Sequence, residues 1–121
     1  MKQAHIGTDI VEIARLEKAV RKWGERFLNK IYTPAEIRIC GGRSESLAAR
    51  FAGKEAVMKA LAGQGKGLNW KEIEVLALPT GKPVVELNGE TLRKSRALGI
   101  DHFEISLSHA GGLAVAFVLG V

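Results

Sequence analysis

Phe103-Glu104-Ile105-Ser106-Leu107-Ser108-His109-Ala110-Gly111-Gly112-Leu113-Ala114-Val115-Ala116-Phe117-Val118-Leu119 carries the pattern on which the fold turns. Phe103, Ile105 and Leu107 alternate with Glu104, Ser106 and Ser108, the period of two of a strand with one buried face. Ala110-Gly111-Gly112 supplies turn chemistry, and the near-continuous apolar run from Leu113 to Leu119 reads as the buried returning strand of a hairpin. An antiparallel sheet follows from this stretch.

Upstream, His5 to Val11 reads as a short strand, with Ile6, Thr8 and Ile10 on one face and His5, Gly7 and Asp9 on the other. Ile13, Leu16, Val20, Trp23 and Phe27 then recur at helical spacing as one continuous core stripe, while Arg15, Lys18, Lys22 and Arg26 line the opposite face. Thr33-Pro34-Ala35-Glu36 is a capping box with Pro at the first helical position. It predicts a short second helix to about Cys40, ended by Gly41-Gly42. Ser44 is expected to cap a third helix, dominated by helix formers from Ser46 to Ala62 with the stripe Leu47, Phe51, Met58 and Leu61, and stopped by the loop Gly63-Gln64-Gly65-Lys66-Gly67. Ile73 to Leu78 and Pro83 to Leu87 read as strands joined through Pro79-Thr80-Gly81-Lys82, and Gly89 to Leu98 as a fourth helix ended by Gly99. The expectation is a small α+β domain over residues 1–121, an antiparallel sheet packed against helices.

With 121 residues, 46% of them hydrophobic and 26% charged, the chain fits one core. The single Cys40 cannot form a disulfide framework, which favours a reducing compartment. The stretch from Leu113 to Val121 falls far short of the roughly 18 apolar residues that a spanning helix needs. Lys2 is followed by His5 and Asp9 before any apolar region, so no signal peptide is read and the expected location is the cytoplasm. Eighteen Lys and Arg against 13 Asp and Glu give a net charge of +5, which points to an anionic partner such as nucleic acid, a phosphorylated cofactor or an acidic protein. Aromatic residues make up only 6% of the chain, which leaves little for base stacking.

Glu55 sits at the edge of an apolar stripe among Ala48, Ala52, Ala62 and Lys59. One reading is an exposed Glu–Lys pair four residues apart, worth about 0.3–0.5 kcal/mol; the other is a site carboxylate. Arg50, Lys54 and Lys59 gather three cations around Glu55 within ten residues, a pattern that suits phosphate plus metal. Asp9 stands where the first helix needs an N-cap, with Glu12 three residues on, and could instead approach Glu55 to hold Mg2+. His109 ends a strand, as a structural residue or as a donor to a phosphate; His5 and His102 read as structural. Gly63, Gly65 and Gly67 match neither a dinucleotide fingerprint nor a P-loop, which leaves a non-specific phosphate-contacting loop.

Gly7-Thr8-Asp9-Ile10, Arg50-Phe51-Ala52-Gly53-Lys54-Glu55-Ala56 with Lys59, Gly81-Lys82-Pro83 and Ser106-Leu107-Ser108-His109 together resemble the holo-[acyl-carrier-protein] synthases, in order and spacing, over essentially the whole chain. The resemblance implies the 4'-phosphopantetheinyl transferase fold, of the kind β-α(3)-β(2), in a homotrimer with active sites between subunits. It implies a Mg2+-dependent enzyme that moves 4'-phosphopantetheine from coenzyme A onto a serine of an apo-acyl carrier protein, releases adenosine 3',5'-bisphosphate and supports fatty acid biosynthesis. By the same resemblance Asp9 and Glu55 would be the metal ligands, and Glu55, directly or through a metal-bound water, would help deprotonate the carrier serine. Lys59 would contact the pyrophosphate, while Arg50, the loop with Gly63 and Gly65, and Gly81, Lys82 and Pro83 would border the nucleotide. His109 would help to hold the phosphates. The stripe Arg15, Lys18, Lys22 and Arg26 suits an acidic helix on the carrier. Ala110-Gly111-Gly112, following His109, offers no carboxylate or hydroxyl that could serve as a catalytic helper, so the identity of the general base stays open. A basic nucleic-acid-binding α+β module is the alternative from another class, and it would leave Asp9, Glu55 and Lys59 without purpose.

Overall fold

The computed structural model describes residues 3–61 and 69–121, so the loop from Gly63 to Gly67 lies outside the described residues. Strand β1 (His5–Glu12) leads into helices α1 (Ile13–Trp23), α2 (Glu25–Ile31), α3 (Pro34–Cys40) and α4 (Ser44–Ala60). A single 3-10 turn (Trp70–Glu72) then opens β2 (Ile73–Ala77), followed by β3 (Pro83–Leu87), α5 (Gly89–Ala97), β4 (Phe103–Ala110) and β5 (Leu113–Gly120). The expected hairpin forms, with Gly111 and Gly112 at φ 58 and 81 in its turn. β1 pairs antiparallel with the far side of β5, giving the order β1-β5-β4, while β2 and β3 make a separate two-stranded sheet. The α+β class thus holds, with the antiparallel pairing divided between two sheets.

Helix α4 lies across the inner face of the three-stranded sheet. Register places Gly7 opposite Val118 and Asp9 opposite Ala116 on β5, with Ile105 and Leu107 continuing these rows on β4. Ala52, Ala56 and Ala60 of α4 are buried against this face, and the small side chains let β1 approach closely. Leu47, Ala48, Ala49 and Val57 are buried as well, so α4 is enclosed on most sides rather than along the single stripe expected. Leu16, Ile31, Tyr32 and Cys40 close a second cluster beneath α1 to α3.

Three expectations are corrected, and one of the two readings of Asp9 is excluded. The first helix breaks at Gly24, whose φ of 54 ends α1 and starts α2, so Trp23 turns outward at 50% exposure while Ile13, Leu16, Val20 and Phe27 remain at the core. Asp9 is not a cap, because β1 continues to Glu12 before α1 begins. Ser44 is already helical, with Arg43 at the N-cap position and no side-chain cap. β5 is not buried throughout: Ala114, Ala116 and Val118 face α4, whereas Leu113 and Phe117 face outward and are exposed. The capping box at Thr33 and Glu36 forms as read, with Pro34 opening α3.

Candidate active site

Asp9 reaches its position because β1 alternates faces, and the inner face that carries Gly7 also carries Asp9. A Cβ on Gly7 would overlap the Ala56 carbonyl oxygen, so only glycine lets β1 lie this close to α4. Glu55 and Lys59 stand one turn apart on α4, facing the same strand. Lys59 Nζ donates to Asp9 Oδ1 at 2.9 Å and to the Thr8 carbonyl at 3.0 Å. Of the two readings of Glu55, the exposed pair with Lys59 gives way to this bridge between helix and strand.

Burial pushes the Glu55 carboxyl above its usual range, the charge of Asp9 adds to the rise, and Lys59 opposes it. Two carboxylates therefore converge with their mutual repulsion only partly relieved. A divalent cation would relieve it, and hard oxygen donors are the ligands that Mg2+ prefers. Among the described residues no group of three or more His, Cys, Asp and Glu comes together. Two carboxylates do not close a metal site by themselves, so Asp9 and Glu55 could serve Mg2+ only together with oxygen donors from substrate and water.

The pair opens into a groove of about 660 Å3, with Asp9, Arg15 and Glu55 along its polar side and Leu16, Phe27 and Phe51 along its apolar side. Phe51 stacks between Phe27, at 6.4 Å, and Trp70, at 5.0 Å, which fixes that wall.

The remaining site residues fall in three places. Arg15, Lys18 and Lys22 are exposed on α1, with Lys22 Nζ 5.0 Å from the centre of the Trp23 ring; Arg26 is exposed on α2, beyond the break. Gly81, at φ 92, and Lys82 form the turn before Pro83 opens β3, and Lys82 Nζ lies 3.9 Å from Glu104 on β4. His109 is exposed at the end of β4. Asp9 on β1 and, near opposite ends of β4, Lys82 and His109 therefore sit toward opposite edges of the three-stranded sheet.

Arg50 and Lys54 do not join Glu55. Lys54 is one residue from Glu55 and Arg50 five, turns of about 100° and 140° around a helix, and both side chains point toward β2. Lys54 pairs with Glu36 at 2.7 Å, both fully buried, and Arg50 Nε donates to the Val75 carbonyl at 3.0 Å. The three-cation cluster read around Glu55 thus reduces to Lys59. The Glu36–Lys54 pair was not legible as such, because the capping box already accounts for Glu36.

A family model described as the 4'-phosphopantetheinyl transferase superfamily matches residues 5–118. A holo-[acyl-carrier-protein] synthase of Dehalococcoides mccartyi is 51% identical over 115 residues, which span 95% of this chain and 96% of the relative. The chain belongs to the holo-[acyl-carrier-protein] synthases of this superfamily. The synthase of Herpetosiphon aurantiacus is 43% identical, over 95% of this chain and 96% of its own. Among solved structures, the holo-[acyl-carrier-protein] synthase of Helicobacter pylori in complex with coenzyme A superposes with a TM-score of 0.86 at 38% identity, covering 96% of this chain and 99% of that one. This member of the family is accordingly a phosphopantetheinyl transferase. No helix among its described residues is long and apolar enough to cross a membrane.

Proposed function

We propose that the chain uses coenzyme A as donor and Mg2+ as its metal to place 4'-phosphopantetheine on a serine of an apo-acyl carrier protein, releasing adenosine 3',5'-bisphosphate, in the cytoplasm and in support of fatty acid biosynthesis. The observation that carries this reading is the Lys59–Asp9 bridge beside Glu55, with both carboxylates lining one groove. The Helicobacter pylori relative, solved with coenzyme A, supports the choice of donor.

In the reaction the serine oxygen bonds to the β-phosphorus as the bond to the departing adenosine bisphosphate breaks. Negative charge builds on the phosphate oxygens, and fixed positive groups lower the barrier. Asp9 and Glu55 would hold Mg2+, which supplies charge neutralisation and orientation at the phosphates when bound. Lys59 spends two of its three protons on Asp9 and Thr8 and keeps one for the pyrophosphate. Its side chain is 56% exposed, so this bridge costs little to rearrange. Glu55 would take the serine proton, directly or through an intervening water. Lys82 and His109 would hold the nucleotide and its phosphates, Gly81 and Pro83 shaping the turn; Arg50, anchored by Nε on Val75, would border the same nucleotide.

Two features support a homotrimer with shared sites. The outer sheet face is apolar and bare: Ile10 is 63% exposed and Phe117 46%, with Ile6 and Leu113 beside them, more than an isolated surface usually leaves open. Lys82 and His109 also sit toward the sheet edge opposite Asp9, so a neighbouring copy could complete the set around one coenzyme A. The exposed cations Arg15, Lys18, Lys22 and Arg26 suit an acidic surface on the carrier. The test is chromatographic detection of adenosine 3',5'-bisphosphate on mixing the chain with coenzyme A, Mg2+ and an apo carrier. Release that requires all three is expected; release without the carrier contradicts the reading.

A further inference from the structure

Lys54 is a buried lysine whose three ammonium protons go to Glu36 Oε1 at 2.7 Å, the Trp70 carbonyl at 3.0 Å and the Ile73 carbonyl at 2.5 Å. Glu36 accepts from the Val75 amide at 2.8 Å and the Thr33 amide at 3.0 Å, and Arg50 Nε donates to the Val75 carbonyl at 3.0 Å. The β2 partners in this set share one edge of the strand. On the other edge, the Leu78 amide donates to the Lys82 carbonyl and the Asn88 amide to the Glu72 carbonyl, so even-numbered positions face β3. Ile73 and Val75 therefore direct their polar groups away from β3, toward an edge that no strand pairs with. Side chains from α3 and α4 stand in for the missing strand.

A two-stranded hairpin is marginal by itself, so what grips its free edge also decides where it sits. We propose that Lys54 and Glu36 are positioning residues for the donor: they clamp the β2–β3 hairpin against α4 and so fix where the body of the subunit holds Gly81, Lys82 and Pro83 at its tip, the part that the proposed trimer presents to a neighbouring copy's Glu55 and Lys59. The inference rests on the reading that this tip borders the coenzyme A nucleotide. Neither residue lines the groove between β1 and α4. A cation suits the position because acceptors from α3, the 3-10 turn and β2 converge on one point, and its charge is balanced by Glu36. Loss of one partner leaves the other buried and unpaired, which loosens the free edge of the hairpin.

The experiment compares Lys54→Met, Glu36→Gln and Lys82→Ala with the parent chain by steady-state kinetics and by amide hydrogen exchange across residues 73–87. For Lys54→Met, KM for coenzyme A rises about tenfold, the scale on which misplaced binding groups cost affinity. Its kcat at saturating coenzyme A stays within a factor of about three, and KM for the carrier is unchanged. Amides of β2 and β3 exchange faster while those of β1 and β5 do not. Glu36→Gln, which keeps its shape, shows the same direction at smaller size and replaces Lys54→Met should that variant fail to fold. A lower melting temperature with an unchanged KM for coenzyme A would overturn the proposal and leave the pair a role in stability alone. A fall in kcat at constant KM would overturn it as well, because the effect would then lie at Glu55. If Lys82→Ala leaves KM for coenzyme A unchanged, the placement of the donor fails and the proposed link to donor binding falls with it; hairpin exchange in Lys54→Met then tells whether the clamp itself stands.

Discussion

Gly7 of β1 stands against the main chain of Ala56 in α4, so close that a Cβ at position 7 would overlap the Ala56 carbonyl oxygen. Asp9 follows Gly7 by two residues on the same face, and Glu55 precedes Ala56 by one. The closest approach of strand to helix is therefore also what brings the two carboxylates together.

Gly7→Ala should push β1 away from α4. Overpacking of this kind costs about 1–3 kcal/mol, readable as a lower urea midpoint. Initial rates measured under conditions where the variant is fully folded should still fall, because Asp9 and Glu55 have separated. A rate that drops only in proportion to the unfolded fraction would disprove the coupling.

Glu55→Gln should raise the melting temperature of the metal-free chain at neutral pH and abolish transfer. The raised folded value of Glu55 means that its contribution to stability is fully present below the ordinary carboxyl range and is lost as pH rises through the folded value. Removing the charge removes that loss. Mg2+ should raise the melting temperature of the parent chain, and because it would need the carboxylate, that gain should shrink as pH falls, starting at a higher pH than an ordinary Glu would set. Asp9→Asn removes the second cause of the shift, though not the burial. Thermal scans with and without Mg2+ across pH check both signs.

Lys22→Glu should lower kcat/KM for the carrier and leave KM for coenzyme A unchanged, since Lys22 lies outside the groove. Charge pairs across an encounter surface act mainly on association and are screened by salt. The gap between parent and variant should therefore narrow as ionic strength rises, and a gap independent of salt would contradict an electrostatic role.

Phe117→Glu should turn the outer sheet face from self-associating to solvated. Size-exclusion chromatography with light scattering is expected to show a trimer for the parent chain and a monomer for the variant, with circular dichroism unchanged. If sites are shared, Glu55→Ala mixed with His109→Ala should regain part of the activity that neither has alone. No recovery in a verified mixed trimer would place each site within one chain.

The period-two pattern of β4, the turn at Gly111-Gly112 and the capping box at Thr33 to Glu36 are local signals, so these elements could be read from sequence. The convergence of Asp9 with Glu55 depends on how β1 packs on α4, and locally Asp9 looked equally like a helix cap. The family likeness alone points to its place, and Gly7 supplies the physical reason. Position 24 hides its break, because the stripe continues in register from Val20 to Phe27 and only Trp23 departs from it. Phe117 and Leu113 read as core because an apolar run does not say whether its second face meets a helix or open surface. Lys54 belonged by spacing to a cationic cluster, whereas about 100° of helix rotation from Glu55 carries it to a buried partner on another element.

The most direct measurement is intact-mass spectrometry of an apo-acyl carrier protein incubated with the chain, coenzyme A and Mg2+, alongside reactions with EDTA and with Glu55→Ala. A mass gain of one phosphopantetheine is expected in the complete reaction and none in either control. A gain that survives EDTA or the loss of Glu55 would contradict the roles given to Asp9 and Glu55, and no gain with several different carriers would contradict the transfer itself.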